Sequence, residues 1–404
     1  MAYTVLARRY RSQSFGDVVG QQPVAETLKA AIRTGRVAHA YLFVGTRGVG
    51  KTSMARILAR ALNAPDTIED APKLGEEQGE AAAEDYPEVE IQQRMAEAIM
   101  RGEDLNVIEI DGASNNRVED ARDLIAKAGL SPTGNARFKV YIIDEVHMLS
   151  NAAFNALLKT MEEPPSHVKF ILCTTEPHKV PSTIQSRCQR FDFRNIPARQ
   201  IAEHLRSVVE AEGLKAQDAA IWQVARLGDG SMRDALSLLD RLIAAGEAEL
   251  TAELIDQMLG LPPREQVHQL VTALADGDVA AALRATDTLL QSGIAQDQLI
   301  EALTEGLRQL MLISACGIDS ELVELAEDAK EPAAALAQRF DPAGLVHMIA
   351  LLELLQRSGK SSPNPRALLD ATVVRLALAE KMADVSALLA GEGGGSGGDV
   401  KKND

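Results

Sequence analysis

Cysteine is scarce in this sequence: of 404 residues, only Cys173, Cys188 and Cys316 carry thiols. They lie far apart and never at C-x-x-C spacing, so neither a disulfide framework nor a zinc site is indicated, and burial as small apolar side chains is expected. Long hydrophobic runs are missing too. The stretch from Leu345 to Leu355 is interrupted by His347 and Glu353 and falls short of the roughly 20 apolar residues that span a bilayer. Between Met1 and Arg11 stand Arg8, Arg9 and Arg11 but no apolar core or small-residue cleavage site, so no secretory signal is read and a cytoplasmic location is expected.

What is present is a length that accommodates two or three domains and an apolar fraction of 46%, sufficient for buried cores. The net charge of −16 argues against a wholly basic nucleic-acid binder. It is unevenly spread, however. Residues 1–60 hold ten Lys and Arg residues against Asp17 and Glu26 alone, whereas acid concentrates from Asp66 to Asp120 and again beyond Glu203.

From Tyr41 to Phe193, short apolar runs alternate with helical patterns, the sign of strands joined by crossover helices in a parallel sheet. The runs are Tyr41–Val44, Val107–Ile110, Val140–Ile143 and Phe170–Cys173; Ile57, Leu58, Ala61 and Leu62 mark a helix after the first. A doubly wound α/β domain over 1–197 is expected. Residues 64–104, rich in Asp, Glu, Pro and Gly, interrupt it as an acidic insertion that ends in a helix near Val89 to Met100. After Ile196-Pro197 the pattern is helical throughout. Ile201, Leu205, Val208 and Val209 form one face, and Ser231-x-x-Asp234 caps a helix carrying Leu236, Leu239, Leu242 and Ile243. A small helical domain over 198–262 is expected, then a helical bundle over 263–389 with Val267, Leu270, Val271 and Leu274 in register, and a flexible tail over 390–404.

Gly45-Thr46-Arg47-Gly48-Val49-Gly50-Lys51-Thr52 matches G-x-x-x-x-G-K-[ST] between a strand pattern and a helix pattern, the context of a phosphate-binding loop. Glycines let successive N–H groups face phosphate oxygens, and the helix opening at Lys51 adds its positive end. Lys51 is expected to reach the β and γ phosphates of ATP and Thr52 to hold Mg²⁺. Val140 to Ile143 runs into Asp144-Glu145, which gives one carboxylate for the metal and one, Glu145, to polarise the attacking water.

The ordered series of the phosphate loop, Asp144-Glu145-Val-His-Met-Leu, Thr174-Thr175-Glu-Pro, Ser186-Arg187-Cys188 and Gly230-Ser-Met-Arg233-Asp-Ala resembles the clamp-loader ATPases of the AAA+ kind. The segments Tyr10 to Gln22 and Ile108 to Asn116 point to the gamma/tau family of bacterial DNA polymerase III. The resemblance is strong over about residues 3–260 and weaker beyond. It implies an AAA+ P-loop domain, a helical lid and a helical collar that oligomerises. It further implies that Thr175 senses the γ-phosphate, that Arg187 is an arginine finger offered to a neighbouring subunit's ATP, and that Arg233 reaches the subunit's own nucleotide from the lid. Ala7, Arg11, Val18 and Val19 resemble the segment around adenine. Ser114, Asn115, Asn116 and Arg117, at a strand's carboxyl end, suit DNA or nucleotide contacts and equally an ordinary turn.

The implied machine is a hetero-oligomer, pentameric in the family, that uses ATP binding to open a sliding clamp and hydrolysis to release it on primed DNA. A longer C-terminal form would contact polymerase core and helicase; no membrane is involved. A non-hydrolysing brace and a branched-DNA helicase motor are the competing readings. Two departures stand out. Arg11 is followed by Ser12 where the family has proline, and the four zinc-binding cysteines of the family fall near Ala64, Val89, Gln92 and Met95, none of which offers a thiolate. Zinc is therefore expected to be absent.

Overall fold

The apolar runs become the strands of a five-stranded, all-parallel sheet: β1 (Ala40–Val44), β2 (Val107–Asp111), β3 (Lys139–Asp144), β4 (Val168–Thr174) and β5 (Gln189–Asp192), in the order β2-β3-β4-β1-β5. A computed structural model of the chain describes residues 4–64, 89–114, 130–246, 249–320, 322, 323, 325 and 327–391. The expected contacts at Asn115, Asn116 and Arg117, the acidic stretch 65–88 and the tail beyond 391 lie outside these residues.

Every residue of β1 and β4 is buried, and β3 is buried up to Asp144. Helices cover both sheet faces, which is why these strands read as continuous rather than alternating apolar runs. Tyr41 and Phe43 pack on one side with helices α2 (Gln22–Arg33) and α3 (Lys51–Asn63). Ala40, Leu42 and Val44 pack on the other with Phe154, Leu157 and Met161 of the helix Asn151–Glu162. The fifth strand differs. It lies at the sheet's edge with only Phe191 buried, so Gln189, Arg190 and Asp192 give it no apolar run to read.

The chain divides into two compact units, residues 1–214 with 224–246, and residues 215–223 with 247–404. The first holds the sheet, the short N-terminal helix α1 (Leu6–Arg9), α4 (Val89–Arg101), and the helices Ala198–Ala211 and Met232–Ile243. Ile201, Leu205, Val208 and Val209 are buried along one face of the former. Ser231 caps the latter by accepting a hydrogen bond from the Asp234 N–H. In the second unit the helices Arg264–Ala275, Val279–Gln291, Gln296–Cys316, Pro342–Gly359 and Pro365–Gly391 share one core built on Leu270, Leu303, Leu307, Met348, Leu352 and Leu376.

Of the cysteines, Cys173 is fully buried in β4, whereas Cys316 is exposed, contrary to expectation, because it ends its helix outside that core. Ala64 is buried, as is Gln92, and Met95 packs against the core on α4. No described helix is long and apolar enough to cross a membrane.

Candidate functional site

The sheet order brings the chemistry to one edge. Because β1 lies beside β4, and β4 beside β3, the carboxyl ends of these strands present the phosphate loop, Thr174-Thr175 and Asp144-Glu145 side by side. Such a crossover point is where an open parallel sheet leaves a crevice outside its strand ends.

The loop from Gly45 to Gly50 needs its glycines for stated reasons. Gly48 and Gly50 have φ of +78° and +100°, a region that penalises any β-carbon. A Cβ on Gly45 would come within 2.7 Å of the Phe193 carbonyl. Gly50 is the N-cap of α3 and no side chain caps the helix, so the arrangement of its first-turn N–H groups and positive dipole end suits an anion. Lys51, 6% exposed, folds back over the loop and donates to the carbonyls of Gly45 and Thr46, each at 2.7 Å. Burial lowers its pKa, opposed by the nearby acids including Glu145 and Asp144. Cys173 behind it remains a thiol, because burial pushes its pKa well up.

The Thr52 hydroxyl donates to Asp144 Oδ2 at 2.7 Å. A hydroxyl and a carboxylate so placed form a hard oxygen pair of the kind Mg²⁺ takes alongside phosphate oxygens and waters, and the uncapped glycine loop beside them fits the phosphates. Glu145 follows in the left-handed region at φ 45°, a strained backbone for a non-glycine residue. Its Oε2 accepts from the Thr175 hydroxyl at 3.1 Å.

Lys51, Thr52, Asp144 and Glu145 line an open cleft of about 720 Å³, and Gly45 and Thr175 are not among its lining residues. Ala7, Arg11, Val18 and Val19 line it on one side and Met232, Arg233 and Leu236 on another, with Arg47, Gly48, Val49, Gly50, Lys51, Thr52, Asp144 and Glu145 between them. Burial, with repulsion from Arg56, lowers the pKa of the Arg11 guanidinium. Thr46 turns away: its hydroxyl donates to Asn195 Oδ1 at 2.6 Å. Arg187 is not among the cleft residues. It pairs with Glu162 at 2.8 Å and donates to the Thr183 carbonyl.

Sequence patterns did not reveal several members of the site. Arg8, Arg56, Arg101 and His204 also line the cleft. Arg56 pairs with Glu109 at 2.6 Å and donates to the Met100 carbonyl, tying α3 to β2 and α4. Gln21, 2% exposed, donates to the Arg194 carbonyl at 2.7 Å and reaches the Val49 carbonyl at 3.5 Å, which fastens the phosphate loop to the segment after β5. The Arg233 N–H approaches the Gly48 carbonyl at 3.4 Å. No periodicity or spacing marks these contacts. Gln21 is the glutamine of Gly20-Gln21 within the segment, Tyr10 to Gln22, that carried the resemblance, and that is its one signal.

Three family models match successive parts of the chain: "DNA polymerase III, delta subunit" over residues 20–197, "DNA polymerase III clamp loader subunit, ATPase lid domain" over 200–248, and "DNA polymerase III subunits gamma and tau domain III" over 250–390. The chain is 40% identical over 377 residues to the DNA polymerase III subunit tau of Bacillus subtilis, aligning 93% of itself and 63% of that protein. It is 40% identical to the tau subunit of Escherichia coli, over 80% of this chain and 48% of that one. The match to the gamma subunit of Buchnera aphidicola is 38% identical and covers 78% of this chain and 81% of that protein. The chain thus spans about half to two thirds of the tau proteins it matches and most of the shorter gamma protein.

Proposed function

The chain belongs to the gamma and tau family of bacterial DNA polymerase III subunits, and from that premise we propose that it is an ATP-hydrolysing clamp-loader subunit that opens a sliding clamp and loads it on primed DNA. The observation that carries this reading is the 2.7 Å contact of Thr52 with Asp144 beside Lys51 and Glu145, the complete set that phosphoryl transfer to water requires and that a passive brace does not. Residues 1–197 form the ATPase domain, 198–262 the lid and 263–389 an oligomerising collar. The work is done in the cytoplasm with other clamp-loader subunits, the clamp and DNA; a longer C-terminal form would add polymerase core and helicase.

In this reading Lys51 leaves the Gly45 and Thr46 carbonyls for the β and γ phosphates, and the loop N–H groups from Thr46 to Lys51 hold the remaining oxygens. Thr52 and Asp144 would hold Mg²⁺, which would supply positive charge to offset that building on the phosphate oxygens. Glu145 accepts a proton from the attacking water, and Thr175, hydrogen-bonded to it, senses the γ-phosphate. Ala7, Arg11, Val18 and Val19 flank adenine, and Arg233 engages the same nucleotide. Arg187, paired outside the cleft, serves the next subunit. Zinc plays no part, since Ala64, Val89, Gln92 and Met95 supply no ligand.

ATP turnover by the reconstituted assembly tests the reading. Clamp and primed DNA together should stimulate turnover, and Glu145→Gln should abolish the stimulated rate while leaving nucleotide bound. Turnover indifferent to both clamp and DNA would overturn the clamp-loading assignment.

A further inference from the structure

His147 has no role in the reading above, yet its side chain is 6% exposed and lies between two carboxylates. It stands in the short 3-10 turn Val146–Met148 that follows β3. Its Nδ1 is 3.1 Å from the Thr174 hydroxyl and 3.4 Å from Glu145 Oε2, and its Nε2 is 3.3 Å from Glu176 Oε1. The Glu176 N–H donates to the Thr174 hydroxyl at 3.0 Å, so Thr174 ties the ring to the backbone of the same loop. The glutamate assigned as base thus accepts from Thr175 and has one nitrogen of the His147 ring beside it, while the other ring nitrogen faces Glu176.

From Glu176 the hydrogen bonds continue toward Arg187. Gln185 donates to the carbonyls of both Pro177 and Val180, at 3.0 and 2.8 Å, which staples the turn Pro177–Lys179 to the helical turn Ser182–Gln185. The Arg187 N–H then donates to the Ile184 carbonyl at 3.1 Å. One connected path thus runs from the Glu145 carboxylate to the backbone that carries Arg187. An imidazole needed only for packing would require neither carboxylate, because an apolar ring of similar size fills the same volume.

We propose that His147 is a positioning residue acting in two directions: it orients Glu145 in its own cleft and, through Glu176, fixes the loop that offers Arg187 to the neighbouring subunit's nucleotide. The proposal rests on the clamp-loader reading and adds to it a physical link between one subunit's site and the next. Spatial continuity alone does not demonstrate coupling; a non-additive pair of substitutions does.

The test uses the full chain in the reconstituted assembly, with binding of a non-hydrolysable ATP analogue and thermal melting measured beside turnover. General bases contribute roughly 10²–10⁴-fold, and misorienting one should cost on the order of tenfold in kcat. His147→Leu is expected to lose that factor with analogue binding unchanged, His147→Gln, which keeps one donor, to recover part of it, and Glu176→Gln to add nothing to His147→Leu. For the second direction, subunits carrying Lys51→Ala with His147→Leu are mixed with parent subunits and compared with mixtures carrying Lys51→Ala alone. Both have silent sites of their own, so a several-fold lower rate with the double variant is transmitted to the neighbour. Additive losses at His147 and Glu176, or equal rates from the two mixtures, overturn the proposal while the reading stands. Parent-rate turnover by Glu145→Gln or Arg187→Ala removes the reading itself, and the proposal with it. Where His147→Leu fails to fold, His147→Gln carries the same comparisons.

Discussion

Replacing Gly48 with alanine tests whether the helix after Ser231 rests on the phosphate loop. An alanine held at φ +78° pays about 1–2 kcal/mol for the left-handed conformation, partly offset by the reduced freedom of its unfolded chain. Its Cβ would also lie 1.9 Å from Ser231 Oγ, 3.0 Å from Ser231 Cβ and 3.2 Å from Arg233 Cβ. Rotating Ser231 relieves the first clash only by surrendering the cap to the Asp234 N–H, a loss of about 1 kcal/mol, and leaves the other two. Gly35 supplies the control, with φ +67° and nothing within 4 Å of its added Cβ. Gly35→Ala should cost about 1 kcal/mol and Gly48→Ala about 2 kcal/mol, a difference of roughly 2–4 °C in melting temperature for a unit of this size. The assays are thermal unfolding and titration with a labelled ATP analogue. Displacing the Met232–Ile243 helix also displaces Arg233, so Gly48→Ala should weaken the analogue on the order of tenfold while Gly35→Ala leaves it alone. Equal melting and equal affinity in the two variants would refute the packing argument.

Lys51→Ala should lose nucleotide binding whereas Glu145→Gln keeps it and loses turnover; equal nucleotide affinity in Lys51→Ala and the parent would remove the phosphate-loop assignment. Arg187→Ala should bind ATP nearly as the parent does, yet turn over roughly 10³-fold or more slowly in the assembly, and mixing it with Lys51→Ala should recover activity that neither shows alone. A chelator should leave the melting curve unchanged after dialysis, whereas stoichiometric zinc retained through dialysis would contradict the ligand argument. Burial raises the pKa of Asp256 above its ordinary 3.8, against the lowering effect of the Gln223 hydrogen bond. The folded state therefore holds the proton more tightly than the unfolded one, so this group's contribution to stability is complete below 3.8 and is lost as pH rises through the folded value. Asp256→Asn should flatten that part of the profile of stability against pH, and an unchanged slope would count against it.

Where physics forces a local pattern, the sequence carried the fold. Strands β1, β3 and β4 are buried on both faces, so their runs Tyr41–Val44, Val140–Ile143 and Phe170–Cys173 must be apolar, and the glycines, Lys51 and Thr52 must keep their spacing because a phosphate has a fixed size. Ser231 was legible as a helix cap because the residue it serves is three positions away. Its second contact, over Gly48, was not, since nothing local to either residue refers to the other. The same holds for Gln21 with Arg194 and for Thr46 with Asn195, polar pairs 173 and 149 residues apart. Such contacts are specified by the closed fold, and a one-dimensional pattern has no place to record them.

The two arginines assigned by resemblance show where sequence and structure divide the labour. Arg187 and Arg233 are alike in charge, and composition cannot distinguish them. Geometry separates their positions: an arginine proposed for its own subunit's nucleotide has to share a cleft with that subunit's phosphate loop, and one proposed for a neighbour's has to lie outside it. Arg233 lines the cleft, and its backbone N–H approaches Gly48. Arg187 lies elsewhere, a third exposed and held by Glu162. Glu162 is itself about half exposed, so solvent screens the pair, which is worth at most about 1 kcal/mol. A phosphate on an adjoining subunit can therefore draw Arg187 away at small cost, whereas a fully buried partner would have held it.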